Sequence, residues 1–220
     1  MANVLITGAN RGIGLALSKA YIARGDKVWG VCRQSSHALE QSGAHEIEAV
    51  NMAEPASFKR VVTALGDNKI DLLINNAGVL ATELLSSLSP ESIQYQFQIN
   101  ALAPILFSQT LLAQLNPQAK IAVITSRMGS MADNGSGGYY GYRMSKAALN
   151  AGAVSLARDL EPQGHAVAIL HPGFVQTDMV GGAGDVTASE SAVNLMARID
   201  GLTMANTGTF WHANGEVLPW

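Results

Sequence analysis

The first fourteen residues place the tightest constraint on the fold. A short apolar run, Val4-Leu5-Ile6-Thr7, passes straight into Gly8-Ala9-Asn10-Arg11-Gly12-Ile13-Gly14, and an amphipathic helical pattern follows with no spacer. A strand, a glycine-rich turn and a helix in that order form one half of a βαβ unit. The alternation then repeats. Apolar runs at Lys27–Val31, Glu46–Val50, Leu72–Asn75, Lys120–Thr125, Ala166–His171 and Thr209–His212 read as further strands. Helical patterns lie between them near 13–24, 55–65, 90–113, 142–160 and 188–199, the third opening on Ser89-Pro90-Glu91 as a cap with proline in the first turn. These features predict an α/β fold, a single doubly wound parallel sheet of about seven strands with helices on both faces.

The totals agree with that reading. A chain of 220 residues suits one domain over 1–220, and 48% hydrophobic residues with 22 Gly fit a sheet covered on both faces and joined by tight turns. A net charge of -3 offers no electrostatic case for nucleic acid or an anionic membrane. Cys32 is the sole cysteine, and His37, His45, His165, His171 and His212 show no metal-ligand spacing, so neither a disulfide framework nor a metal site is expected. No apolar run approaches the roughly 18 residues of a membrane span, and the start runs directly into a strand, which makes the cytoplasm the expected location.

The glycine-rich turn is a candidate anion cradle. Gly8 and Gly12 would let the backbone turn sharply and approach a pyrophosphate, while Gly14 would let the helix pack close to the strand. The helix N-terminus adds free N–H groups and a positive dipole end. Gly8, Asn10, Arg11, Gly12, Ile13 and Gly14 are its candidate contacts, against the plainer reading of a tight βα turn. The second strand ends Val31-Cys32-Arg33, and no Asp or Glu occurs before Glu40. An NAD site usually carries an acid there for the ribose 2′-hydroxyl, whereas a guanidinium can grip a 2′-phosphate. Arg33 and Arg11 therefore point to NADP(H), the alternative being two solvated surface arginines.

Of the tyrosines at 21, 95, 139, 140 and 142, only Tyr142 has a lysine four residues on, Lys146, which a helix stacks on the same face. A neighbouring ammonium would lower the phenol pKa toward a working range. Ser126 closes the strand Ile124-Thr125-Ser126 at the carboxyl edge of the sheet, where its hydroxyl could polarise a carbonyl oxygen. Asn100 is a polar residue inside the apolar 90–113 pattern, and a buried amide needs partners. Taken singly, Tyr142 and Lys146 could be a surface pair and Ser126 a strand cap. Taken with the cradle, they read as a proton-transfer site.

The Gly8…Gly12-Ile13-Gly14 spacing, Asn75-Asn76-Ala77-Gly78, Tyr142…Lys146 and Pro172-Gly173-Phe174-Val175-Gln176-Thr177 together resemble the short-chain dehydrogenase/reductase family, in its compact single-domain branch with a Rossmann fold. The resemblance runs over nearly the whole chain. It implies that Arg11 lies near the 2′-phosphate, Asn51 and Met52 at the adenine, and Asn76, Ala77 and Gly78 beside the cofactor, with Asn75 structural. It also implies that Pro172, Gly173, Val175 and Thr177 flank the nicotinamide and that Lys146 binds its ribose beside Tyr142. Asn100 would hold a water leading to the lysine. The implied activity is NADPH-dependent reduction of a carbonyl, with Tyr142 as proton donor and Ser126 orienting the oxygen. His171 reads as a structural strand-end residue.

The string Ser126-Arg127-Met128-Gly129-Ser130 with Tyr140-Gly141-Tyr142-Arg143-Met144-Ser145-Lys146, and the ending Gly215-Glu216-Val217-Leu218-Pro219-Trp220, resemble sniffer-type carbonyl reductases and C-factor proteins. Two departures from the wider family stand out. The glycine-rich 127–141 stretch, read as a flexible loop, lengthens the Ser126-to-Tyr142 step, and 178–188, with Gly181-Gly182-Ala183-Gly184, reads as a small, mobile and open substrate lid. Broad acceptance of small carbonyl substrates is expected. Two other classes stay open: a non-catalytic NADP-binding sensor or signalling protein, and a sugar-nucleotide epimerase, whose usual glycine spacing and substrate domain are missing. Relatives often form a homodimer through the helices at 90–113 and 142–160, a contact the loop before Tyr142 could obstruct.

Overall fold

The computed structural model describes all residues from Met1 to Trp220. Its strands are β1 (Asn3–Thr7), β2 (Lys27–Val31), β3 (His45–Ile47), β4 (Ile70–Asn75), β5 (Leu115–Ile124), β6 (Ala166–His171) and β7 (Phe210–His212). They form one sheet in the order β3-β2-β1-β4-β5-β6-β7 with every pairing parallel. The helices are α1 (Gly12–Ala23), α2 (His37–Glu40), α3 (Lys59–Leu65), α4 (Pro90–Phe97), α5 (Ala103–Thr110), α6 (Tyr140–Leu160) and α7 (Ala188–Asp200). This is the doubly wound architecture the sequence predicts.

Strand alternation sorts the core into two layers. Leu5, Leu73, Ile121, Val123, Val167 and Ile169 face one way and pack with Phe107, Leu149 and Ala153 from α5 and α6. Val4, Ile6, Ile74, Ile124, Ala168 and Leu170 face the other way, against Leu17, Tyr21, Leu195 and Ile199 from α1 and α7. The strand order reverses direction between β1 and β4, and the crevice beyond their carboxyl ends is where ligands bind in such sheets. No helix is long and apolar enough to cross a membrane.

Four of the departures from the expected boundaries have a structural reason. β3 stops at Ile47 because Ala49 takes a left-handed conformation, φ 56°. β5 begins at Leu115, before Pro117, and absorbs that proline in an irregular register against β4. The expected 90–113 helix is split: α4 passes into a π-helical turn over Gln98–Leu102 before α5 resumes. Pro104 has no N–H for the Asn100 carbonyl four residues back, and Ala103 donates instead to Gln98, five back. Finally, α6 starts at Tyr140, so the expected loop is shorter and Gly141 is helical.

Candidate active site

The glycine-rich turn is built around forced close approaches. Gly8 and Gly12 adopt φ 68° and 52°. A Cβ on Gly14 would lie 2.2 Å from the Gly8 oxygen and 2.6 Å from Asn76 Nδ2, so only glycine lets α1 begin against this turn. Asn76 Nδ2 donates to the carbonyls of Thr7 and Gly8 at 2.9 and 3.3 Å. Thr7 Oγ1 in turn accepts from the N–H groups of Asn76 and Ala77. The turns after β1 and β4 thus form one rigid wall. Arg11, at the start of α1, makes no side-chain cap, which leaves the first-turn N–H groups to an incoming anion.

Beyond this turn lies a cavity of about 1160 Å³ at the carboxyl edge of the sheet. It is lined by Gly8, Asn10, Arg11, Gly12, Ile13, Arg33, Asn51, Met52, Asn76, Ala77, Gly78, Ser126, Tyr142, Lys146, Pro172, Gly173, Val175 and Thr177. Of the residues singled out in the sequence, Gly14 and Asn100 stand behind the lining instead. Arg11 and Arg33 are exposed, and neither takes part in an ion pair. Next to Arg33, Ser35 engages both nearby acids: its hydroxyl bonds Glu46, and its N–H donates to Glu48 at 3.2 Å. Asn51 lines the cavity, but its amide is already committed, accepting from Ala53 N–H and donating to Glu54. Asn75 is buried and donates to Ser108 Oγ at 2.9 Å, the structural part expected of it.

At the other end of the cavity Ser126, Tyr142 and Lys146 converge. All are buried, with 7%, 8% and 4% of their surface exposed, so a substrate oxygen meeting them leaves water behind. Ser126 lies two residues beyond the end of β5 and caps the next turn, accepting from Met128 N–H at 3.1 Å. Burial pushes the Tyr142 phenol up, opposed by a side-chain hydrogen bond with Ser126. The expectation that Lys146 draws the phenol down is not met in the chain by itself, because burial outweighs the other influences. Burial also pulls Lys146 down to about 8, and Nζ donates to the Ile124 carbonyl at 2.9 Å.

Asn100 is fully buried in the π turn. Its side chain accepts from Val79 N–H and donates to Val79 O, each at 2.8 Å, and donates to Ser145 Oγ at 3.0 Å. It therefore pins the segment after β4 to α6, and its amide points at these partners instead of at Lys146. The gap between them is narrow: a Cβ on Gly78 would stand 3.2 Å from Asn100 Oδ1 and 3.8 Å from Lys146 Nζ.

The rim carries more backbone and side-chain hydrogen bonding than its glycine content suggests. In 178–188, Gln176 N–H donates to Val186 and Asp185 N–H to Phe174, while Gly184 at φ 152° packs against the backbone of 174–176. The loop before α6 is stapled by Arg143, which donates to Gly137 O, Met128 O and Ser136 Oγ, and by the Arg127–Asp133 pair. Leu80, Tyr95, Met128, Tyr139, Phe174 and Met179 add an apolar and aromatic wall that sequence reasoning missed. No local pattern marks them, since they come from four separate segments. His171 also lines the cavity, ring to ring with His212 at 4.8 Å, and burial, with His212 second, drives it down to about 3.

A doubly wound sheet with a glycine turn at the switch point and a Tyr-Lys helix against a strand-end serine defines a class of nucleotide-dependent oxidoreductases. The short chain dehydrogenase family profile matches residues 2–188, and the chain belongs to that family. It is 42% identical over 154 residues to the C-signal protein of Myxococcus xanthus, covering 69% of this chain and 93% of that one. The carbonyl reductase Sniffer of D. melanogaster superposes with a TM-score of 0.92 at 30% identity over the full length of both chains. An NADPH-bound carbonyl reductase from chicken fatty liver gives 0.92 at 29% identity, over 100% of this chain and 99% of that one. The resemblance read from the sequence is thereby established at the level of family and subgroup.

Proposed function

We propose that this oxidoreductase uses NADPH to reduce an aldehyde, ketone or quinone to the alcohol, acting as one domain over 1–220 with 178–188 as the substrate cover. The observation that carries the reading is the buried convergence of Ser126, Tyr142 and Lys146 on the cavity that the glycine turn opens into. The residues fit a phosphorylated dinucleotide. Gly8 packs so tightly that a Cβ would stand 3.0 Å from Ala77 Cα, the start of α1 is uncapped, and Arg11 and Arg33 are without acidic partners. NADPH, when bound, supplies the hydride. The NADPH-bound carbonyl reductase from chicken fatty liver supports that choice.

The chain's own groups do the rest. Ser126 Oγ donates to the carbonyl oxygen and polarises it. Tyr142 Oη delivers the proton to the same oxygen as charge develops there. Lys146, held by Ile124, keeps a positive charge beneath Tyr142 and offers its remaining N–H groups to ribose hydroxyls. Arg11 and Arg33 bind the 2′-phosphate, and Pro172, Gly173, Val175 and Thr177 fix the reacting ring.

NADPH consumption against a panel of aldehydes, ketones and quinones tests this, with turnover on at least one class expected. The similarity to C-signal favours a second reading, a signalling protein that binds NADP without turnover. NADPH binding with no consumption on any member of the panel would select it.

A further inference from the structure

Glu83 is the only Asp or Glu among the buried residues, with 4% of its surface exposed. It lies at the end of a short strap, residues 79–83, that leaves β4 and runs under the start of α6. The strap is held by a ladder of polar side chains from α4 and the π turn. Asn100 pairs with both backbone groups of Val79, and Gln96 Oε1 accepts from Ala81 N–H at 3.0 Å. Glu83 Oε1 then accepts from Gln96 Nε2 and from Ser92 Oγ.

The other carboxylate oxygen leaves this ladder. Glu83 Oε2 accepts from the backbone N–H of Gly141 at 3.1 Å, and the Glu83 carbonyl accepts from Tyr139 N–H. A helix start leaves its first N–H groups without partners, and a Ser, Thr, Asp or Asn at the cap usually answers one of them. Here the cap residue is Tyr139, in a left-handed conformation at φ 52° and with no side-chain bond. Glu83 answers from 58 residues away and adds negative charge at the positive end of the helix. Gly141 has no room for more: a Cβ would stand 2.4 Å from Gln96 Nε2 and 2.9 Å from Glu83 Oε1. The first turn of α6 thus rests directly on the Glu83–Gln96 pair.

Tyr142 is the next residue. The turn that carries Tyr142 and Lys146 is gripped at Gly141 by Glu83 and at Ser145 by Asn100. We infer that Glu83 is a positioning residue for catalysis, a remote cap that fixes the depth and rotation of α6 and thereby the distance of the Tyr142 hydroxyl from Ser126 and the substrate oxygen. It touches no reacting atom. Its kinetic consequence rests on the carbonyl reductase reading; its structural consequence does not.

Replacement by glutamine separates placement from bulk. In E83Q the amide must turn its NH₂ toward either Gly141 N–H or Gln96 Nε2, a donor against a donor. The double variant E83Q/Q96E restores the pattern: the amide oxygen accepts from Gly141, and its NH₂ donates to the carboxylate at 96, which also accepts from Ala81. E83Q is expected to lower kcat on the order of tenfold or more through misplacement, with carbonyl KM and NADPH Kd little changed. E83Q/Q96E is expected to recover most of kcat. Wild-type kcat in folded E83Q, or a loss that the double variant does not recover, would overturn the proposal. Hydrogen exchange over 139–146 supplies an arm independent of turnover. Faster exchange in E83Q, reversed in the double variant, supports the cap even if wild type reduces no carbonyl, a result that would count against the proposed activity alone. Unchanged exchange overturns the cap itself.

Discussion

Lys146 donates from Nζ to the Ile124 carbonyl at 2.9 Å, while the Tyr142 ring centroid lies 5.8 Å from the same nitrogen. The ammonium is therefore anchored to the last residue of β5 and makes no hydrogen bond to the phenol. Anchoring a cation where 4% of its surface is exposed is costly, and burial lowers its pKa to about 8.

That shift makes a stability prediction. The unfolded lysine binds its proton up to its ordinary value of 10.5, so between about 8 and 10.5 the unfolded state holds more protons. Stability from this site is fully present above 10.5 and is lost as pH falls through about 8, a swing of about 3 kcal/mol at most. Lys146→Met removes the charge at similar volume. Urea denaturation should find the variant gaining on wild type at pH 7, the gap narrowing as pH rises toward 10, while its carbonyl reduction is lost. A gap that does not change with pH would show that the ammonium is buried at no such cost.

Tyr142 gives a kinetic counterpart. Burial raises its phenol above the usual value of 10 in the chain without cofactor, the Ser126 bond opposing. Reduction uses the protonated form, so ionisation of the phenol should not lower kcat/KM for the carbonyl until well into the alkaline range, and any fall beginning near pH 8 belongs to Lys146. Alcohol oxidation uses the phenolate and should rise with pH over the same range. Tyr142→Phe should lower turnover by roughly 10²–10⁴-fold with NADPH affinity retained. Near-normal rates in that variant would remove Tyr142 from the reaction.

How far these placements could be read beforehand depends on sequence distance. The strand-turn-helix start was legible because Thr7 to Gly14 carry its whole geometry in consecutive residues, and Tyr142 with Lys146 because four residues are one helical turn. The break in the 90–113 helix had a readable cause in Pro104, which the apolar pattern of that stretch hides. Gly141 misled: in a glycine-rich stretch it reads as loop, yet it is helical because α6 lies against Gln96 and Glu83. Glu83 itself stands in the mixed, mostly apolar stretch Val79-Leu80-Ala81-Thr82-Glu83-Leu84-Leu85, which carries no motif, and only tertiary packing brings it to Gly141. Asn51 offered an amide for the adenine, but its own turn uses that amide first.

Two glycines should respond oppositely to the same change. Gly14→Ala puts a methyl group 2.2 Å from a backbone oxygen, which neither side can yield cheaply, and should cost about 3 kcal/mol or more and abolish NADPH binding. Gly135 has nothing within 4 Å and no left-handed φ, so Gly135→Ala should be neutral or stabilising by roughly 0.5 kcal/mol. Thermal melts of the two variants, with and without NADPH, check both. Equal destabilisation would mean that close packing at the turn is not what demands glycine.

On the proposed reading, cofactor choice turns on Arg33. It ends the β2 edge of the cavity with no ion pair, while Glu46 and Glu48 are both drawn onto Ser35 beside it. The guanidinium is thus free of an ion pair at that corner, as Arg11 is in the glycine turn. A charge-assisted bond of about 1.5–3 kcal/mol corresponds to roughly tenfold to hundredfold in affinity. Arg33→Asp should therefore weaken NADPH by about that factor, also placing a like charge against the 2′-phosphate, while NADH, which lacks the phosphate, changes little or binds better. Titrating both reduced cofactors against wild type and variant gives the comparison directly. Equal losses for the two would mean that Arg33 does not read the phosphate, and the preference for NADPH would have to be sought at Arg11.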